Sequence, residues 1–323
     1  MASSWNNKKL VERLIEEGEK AIAVSFGEVV LSLQAERTLA ALAELISNGQ
    51  FEEALSMVTA GAGKLATTIN QVFVGAGIET LQELGDKFGV IISYDQANWR
   101  AVRIMTDNKL NLVREFALTQ KEATRQALVN GIRDGLNPRA QARAFRESIG
   151  LTKAQVEYVD RYRKELDTLN PRALGRKLRD GRFDRTIEKA IRDKSPLGKK
   201  QIEKMVGRYR ERWIKHRSEV IARTESLRSV HQGTNEAVQQ ALESGAIDAD
   251  KTKQTWNTAL DERVRDFATG ATTSHATMHH QERPVGVPFE SGASNQLMFP
   301  GDPAAPAKET IMCRCRVSTR VEL

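Results

Sequence analysis

Residues 196–220, PLGKKQIEKMVGRYRERWIKHRSEV, decide how the chain is read. Ile202, Val206, Tyr209, Trp213 and Val220 recur at helical spacings, while Lys204, Arg208, Arg210, Arg212, Lys215 and Arg217 spread over the other faces. The pattern predicts one long helix with an apolar seam and a basic coat, continuing through Asn235 to Glu243. Its aromatics read as core and its lone His216 as a surface residue. Outward from it, helix starts are marked by side chains that can satisfy the orphan N–H groups of a first turn. Thr119 with Glu122 and Thr152 with Gln155 have the capping-box spacing. Asn137-Pro138, Asn170-Pro171 and Ser195-Pro196 pair a capping residue with a proline in the first turn. Helices are therefore expected to begin near residues 120, 138, 153, 171 and 196. Further upstream, Leu10, Leu14, Ala21 and Ile22 form one stripe, and Leu39, Leu42, Leu45 and Ile46 another, closed by Asn48-Gly49. Residues 59–85, rich in Gly and Ala, read as a closely packed pair of helices.

The chain has 323 residues, with 40% hydrophobic and 28% charged residues, enough for two globular domains. No run of about 18 apolar residues is present, so no membrane span is expected. The first twenty residues carry acids where a secretory apolar stretch would lie, which points to synthesis in a cytoplasm. The net charge of +7 is unevenly spread. Residues 1–98 hold 7 Lys/Arg against 13 Asp/Glu, whereas residues 161–217 hold 20 against 8. A basic block of this kind suits contact with nucleic acid, although exposed helices are often charged without it. If used, it would bind phosphates without reading sequence, with Lys199, Lys200, Lys204, Arg208, Arg212 and Lys215 as the candidate DNA contacts. Gly63-Lys64 is not a phosphate loop, because the first glycine would fall at Val58 and Leu65 replaces the magnesium-binding hydroxyl.

Beyond residue 232, Gly245, Gly270, Pro284, Pro288, Gly292, Pro300, Pro303 and Pro306 interrupt helical periodicity. A compact, loop-rich module is expected, with short strands at Gln254–Trp256 and Arg314–Arg320. The expected fold class is mainly α, with elongated helical N-terminal and middle regions and a small loop-rich α+β C-terminal module. Its divisions are an acidic helical arm over 1–118, a basic helical region over 119–231 and the module over 232–323.

A series of residues in the second half resembles the phage Mu F-type, or head-morphogenesis, family of minor head proteins. In order these are Ala222-Arg223-Thr224-Glu225, Asn235, Gly245, Trp256, Asp261 with Arg263 and Arg265, His275, Pro288-Phe289, Pro300-Gly301-Asp302-Pro303 and Cys313-Arg314-Cys315. The resemblance covers about residues 120–320 and not the first hundred. It implies a virion protein inside the head at the portal vertex, bound to the portal protein and other head proteins such as the major capsid protein, in some cases to genomic DNA. The implied roles are head morphogenesis and DNA packaging or ejection, without enzymatic activity. Two alternatives stay open: a zinc-dependent enzyme or toxin related to this module, and a helix-turn-helix DNA-binding regulator built on residues 119–168.

Arg223, Thr224, Glu225, Asn235, Trp256, Asp261, Arg263, Arg265 and Asp302 are read as a fold-stabilising network. Arg223 and Glu225 sit two apart on a helix and must engage different neighbours. Cys313 and Cys315 are too close for an unstrained disulfide. Two thiolates and the imidazole of His275 would fill three of the four positions around zinc, with His279, His280 and Asp261 as further candidates. Relatives carry in addition a Cys-x-x-Cys pair and a His before the terminal Cys-x-Cys, where this sequence has Arg265–Ser274 and Lys308–Ile311. The other expectation for these thiols is packing as small buried apolar groups.

Overall fold

The computed structural model describes residues 4–59 and 62–322, leaving aside some side chains within helices. It is mainly helical, with a small strand-containing C-terminal region. The helices are α1 (Lys8–Leu33), α2 (Glu36–Ser47), α3 (Phe51–Thr59), α4 (Ala62–Phe88), α5 (Trp99–Arg133), α6 (Pro138–Ser148), α7 (Lys153–Asp167), α8 (Asp184–Arg192), α9 (Lys199–Glu243) and the short α10 (Ala307–Thr310). The strands are β1 (Ser4–Asn6), β2 (Thr252–Asn257), β3 (Glu282–Pro284), β4 (Phe289–Glu290), β5 (Gln296–Leu297) and β6 (Arg316–Glu322). Two compact units cut across the contiguous sequence divisions. One comprises Met1–Ser25, Lys64–Asn111 and Glu219–Leu323; the other comprises Phe26–Gly63 and Leu112–Ser218.

In the first unit an antiparallel sheet runs in the order β1-β6-β2-β3. The side-chain period of two puts Thr252, Gln254 and Trp256 of β2 inward, and Trp256 faces Val317 of β6. The edge strand β1 comes from the other end of the sequence. Trp5 pairs with Val321, and the Asn7 Oδ1 accepts the Thr319 N–H at 2.7 Å. Leu10, Val11, Leu14 and Ile15 of α1 and Leu227 and Val230 of α9 join Trp256, Phe289 and the two cysteines in one core. Helices approach closely at two glycines. A Cβ on Gly18 would lie 2.4 Å from Ser226 Oγ, and one on Gly233 would lie 2.2 Å from the Phe73 carbonyl oxygen. The Gly/Ala-rich stretch is one helix, α4, from Ala62 onward and not a pair, because Gly75 and Gly77 leave its hydrogen-bonding unbroken.

The second unit is built around aromatic packing. Tyr162 of α7 and Tyr209 of α9 lie 4.5 Å apart between ring centroids, with Ile187, Ile202, Met205 and Val206 around them. Asn137 caps α6 by accepting the Ala140 N–H, and Thr152 with Gln155 forms a complete capping box on α7. Asn170-Pro171 opens only a short 3-10 turn, Pro171–Gly175, and α9 starts at Lys199, after the Ser195-Pro196 signal.

Two expectations are corrected here. Thr119 starts no helix; it lies within α5, where its hydroxyl donates back to the Glu115 carbonyl. Arg217 is no part of an exposed coat but is buried, lying over the Phe116 ring and donating to Thr119 Oγ1 at 2.9 Å. Burial pushes its guanidinium down to about 10. Leu42 and Ile46 of the second stripe are buried, whereas the Leu39 side chain lies outside the described residues.

Candidate metal centre

Cys313 and Cys315 lie just before β6, and both side chains turn toward His275. Both are buried, and Arg314 between them reaches outward to Asp261 at 2.8 Å. The short α10 sets up this approach, since the Cys313 N–H donates to the Thr310 carbonyl. His275 stands at the start of the 3-10 turn Ala276–Met278, its own N–H donating to the Arg265 carbonyl at 2.9 Å. From there its Nδ1 lies 3.5 Å from Cys313 Sγ and 3.4 Å from Cys315 Sγ. The Trp256 ring meets the imidazole edge-to-face, with centroids 5.7 Å apart.

The other imidazole nitrogen is also occupied. His275 Nε2 lies 2.7 Å from Glu309 Oε2. The second carboxylate oxygen, Oε1, accepts from Thr273 Oγ1 at 2.7 Å, Asn295 Nδ2 at 2.6 Å and Ser291 Oγ at 3.1 Å. Ser291 and Asn295 belong to the β4–β5 hairpin, whose backbone they also close. A carboxylate saturated by donors only accepts, so the Nε2 proton points at Glu309, and Nδ1 is the ring nitrogen that faces the sulfurs.

Electrostatics follow from these contacts. Burial opposes ionisation of Glu309, but donors from Thr273, His275 and Asn295 outweigh it and hold its carboxyl below the ordinary value. Burial also lowers His275, yet Cys313 and Glu309 together raise it above its usual value. The hydrogen bond from Cys315 is the main cause lowering Cys313, with His275 adding to it against burial. Cys315 moves upward, because its hydrogen bond with Cys313 and its burial both favour the neutral thiol.

Thiol, imidazole and carboxylate stand in the order of a nucleophile, a base and an orienting acid. His275, Cys313 and Cys315 are each 1% exposed and Glu309 is fully buried, so the sulfur is presented to core atoms. What the donor set does fit is a metal ion. Among the described residues, His275, Cys313 and Cys315 form the one group of three or more ligating side chains close enough to share one. His279 instead accepts the Thr258 N–H at Nδ1 and packs on His280, and Asp261 pairs with Arg263 and Arg314.

The residues carrying the resemblance are engaged within the first unit. Arg223 reaches Glu19, and Glu225 pairs with Arg228. Thr224 accepts the Met312 N–H, and Asn235 accepts from Gln254. Arg265 donates to the Ile311 carbonyl, and Asp302 accepts the Met298 and Ala304 N–H groups. Of the candidate DNA contacts, Lys199, Lys200 and Lys204 are exposed on α9, Arg208 pairs with Glu211, and Arg212 is drawn to Asp180. Glu309, Thr273, Ser291 and Asn295 carry no sequence signal that marks them as part of the site. No protein-family model, curated protein or solved structure matches the chain.

Proposed function

We propose that the chain is a bacteriophage minor head protein that associates with the portal vertex inside the capsid, acting in head morphogenesis and in DNA packaging or ejection. It works as an assembled part and turns over no substrate. The observation carrying this reading is the sealing of the reactive group: His275, Cys313, Cys315 and Glu309 lie at 0–1% exposure, out of reach of any substrate. The contacts of Arg223, Thr224, Asn235, Asp261 and Asp302 support it further, since each joins a loop or helix of the module to a neighbour. The partners of this reading are the portal protein, other head proteins and genomic DNA bound without sequence preference. Full-length protein should co-sediment with assembled portal rings of its own phage; absence of co-sedimentation at micromolar concentrations contradicts the reading. The DNA component is tested by replacing Lys199, Lys200, Lys204 and Arg208 with Ser. The slope of log affinity against log salt should flatten by about one for each phosphate that is no longer neutralised. An unchanged slope means that DNA does not bind this surface.

A further inference from the structure

We infer that the first unit binds one zinc ion through His275 Nδ1, Cys313 Sγ and Cys315 Sγ, with Glu309 as the outer carboxylate that fixes the imidazole. Three independent observations converge on it. The first is distance. With Zn–N near 2.1 Å and Zn–S near 2.3 Å, the N···S edges of a tetrahedron are about 3.6 Å. The observed edges are 3.4 and 3.5 Å, and the three donor atoms all lie within 4.8 Å of one another.

The second observation is the outer arrangement. Metal-ligating histidines characteristically give their far N–H to a carboxylate, which fixes the ring and strengthens the near nitrogen as a donor. Glu309 does this at 2.7 Å and is itself held by Thr273, Ser291 and Asn295 from two other stretches of chain. A core needing only small apolar thiols has no use for a fully buried carboxylate aimed away from them at the back of the imidazole. The third is architecture. The strands β3, β4 and β5 have two or three residues each, and long stretches with little regular structure lie between β2 and β3 and between β5 and β6, so few backbone ladder bonds tie this region together. A metal would tie the segment at His275 to the start of β6, 38 to 40 residues later, as structural zinc does in loop-rich modules. Among the described residues, no fourth His, Cys, Asp or Glu joins this group.

The test uses full-length protein, reduced, stripped with a chelator and titrated with Co(II) and then Zn(II). The expected result is one Co(II) per chain, with a thiolate-to-cobalt charge-transfer band and tetrahedral visible bands, displaced by one equivalent of Zn(II). The band should vanish in Cys313→Ser/Cys315→Ser. It should survive in His279→Ala, whose imidazole stands outside the group. Glu309→Gln should keep the spectrum with affinity lowered about 10- to 100-fold. Folded wild-type protein with both thiols reduced that gives no charge-transfer band at excess Co(II) overturns the inference, and this outcome needs no variant to fold. Unchanged affinity in a folded Glu309→Gln overturns the role given to Glu309. Portal co-sedimentation is read separately, so failure of one leaves the other standing.

Discussion

Around Glu309 the first unit buries a carboxylate, an imidazole, two thiols and two hydroxyls, joined by a half-buried amide. Around Tyr209 the second unit buries two tyrosines with Ile187, Ile202, Met205 and Val206, and the pair of Arg208 with Glu211 on the same helix lies half exposed at the surface. Both regions close a core, but by different physics. Apolar packing tolerates loss of a surface charge and is damaged mainly by lost volume, whereas a buried polar network is damaged by loss of any member, because the partners left behind stay desolvated. Loops suit the second solution, since short strands offer few apolar faces but many directed donors.

The contrast can be broken in four ways. Truncating the large core side chain of each region should cost most, about 4 kcal/mol for either Trp256→Ala or Tyr209→Ala by denaturant unfolding. A cost below about 1 kcal/mol at either position would mean that the core described there is not formed. Next, Glu309→Ala should cost about 3 kcal/mol, because it strands the His275 N–H and three further donors. A near-neutral result would dissolve the distinction between the two regions.

A pH titration is expected to show a smaller effect specific to the first unit. His231 on α9 is buried, its Nε2 has no hydrogen-bond partner among the described residues, and burial, helped by Arg316, pushes it down to about 3. The unfolded chain takes up this proton near the ordinary value of 6.5 and the folded chain does not. Stability from His231 is therefore complete above pH 6.5 and is lost as pH falls toward 3, by about 2 kcal/mol at pH 5. His231→Leu should remove that portion of the slope, and an unaltered slope would refute the assignment. Least affected should be Arg208→Ala, below about 0.5 kcal/mol, since its ion pair with Glu211 is exposed. A loss above about 2 kcal/mol there would mean that this surface pair carries structural weight.

What the sequence revealed follows the same division. The seam Ile202, Val206 and Tyr209 was legible because a face that must be buried repeats with the helix, and all three are buried. Asn137 and Thr152 were legible because a cap acts on its own neighbours. The same local rule misled at Thr119, since Thr-x-x-Glu spacing also arises within helices. Strand β1 left no signal: Ser4, Trp5 and Asn6 acquire a partner only at residues 320–322. His275, Cys313 and Cys315 stood out by residue type and by the Cys-x-Cys spacing. Glu309 did not, because its role exists only once Thr273, His275, Ser291 and Asn295 meet it in space.

Central to this picture is that the two sulfurs are sealed parts of a core. Native full-length protein, stripped of metal and mixed with a bulky water-soluble disulfide reagent, should release no chromophore from Cys313 or Cys315 over the time in which free cysteine reacts completely. Two equivalents should follow on adding guanidinium. If one thiol of the folded protein reacts as fast as free cysteine while circular dichroism stays native, the centre is open to solvent and its structural reading is contradicted.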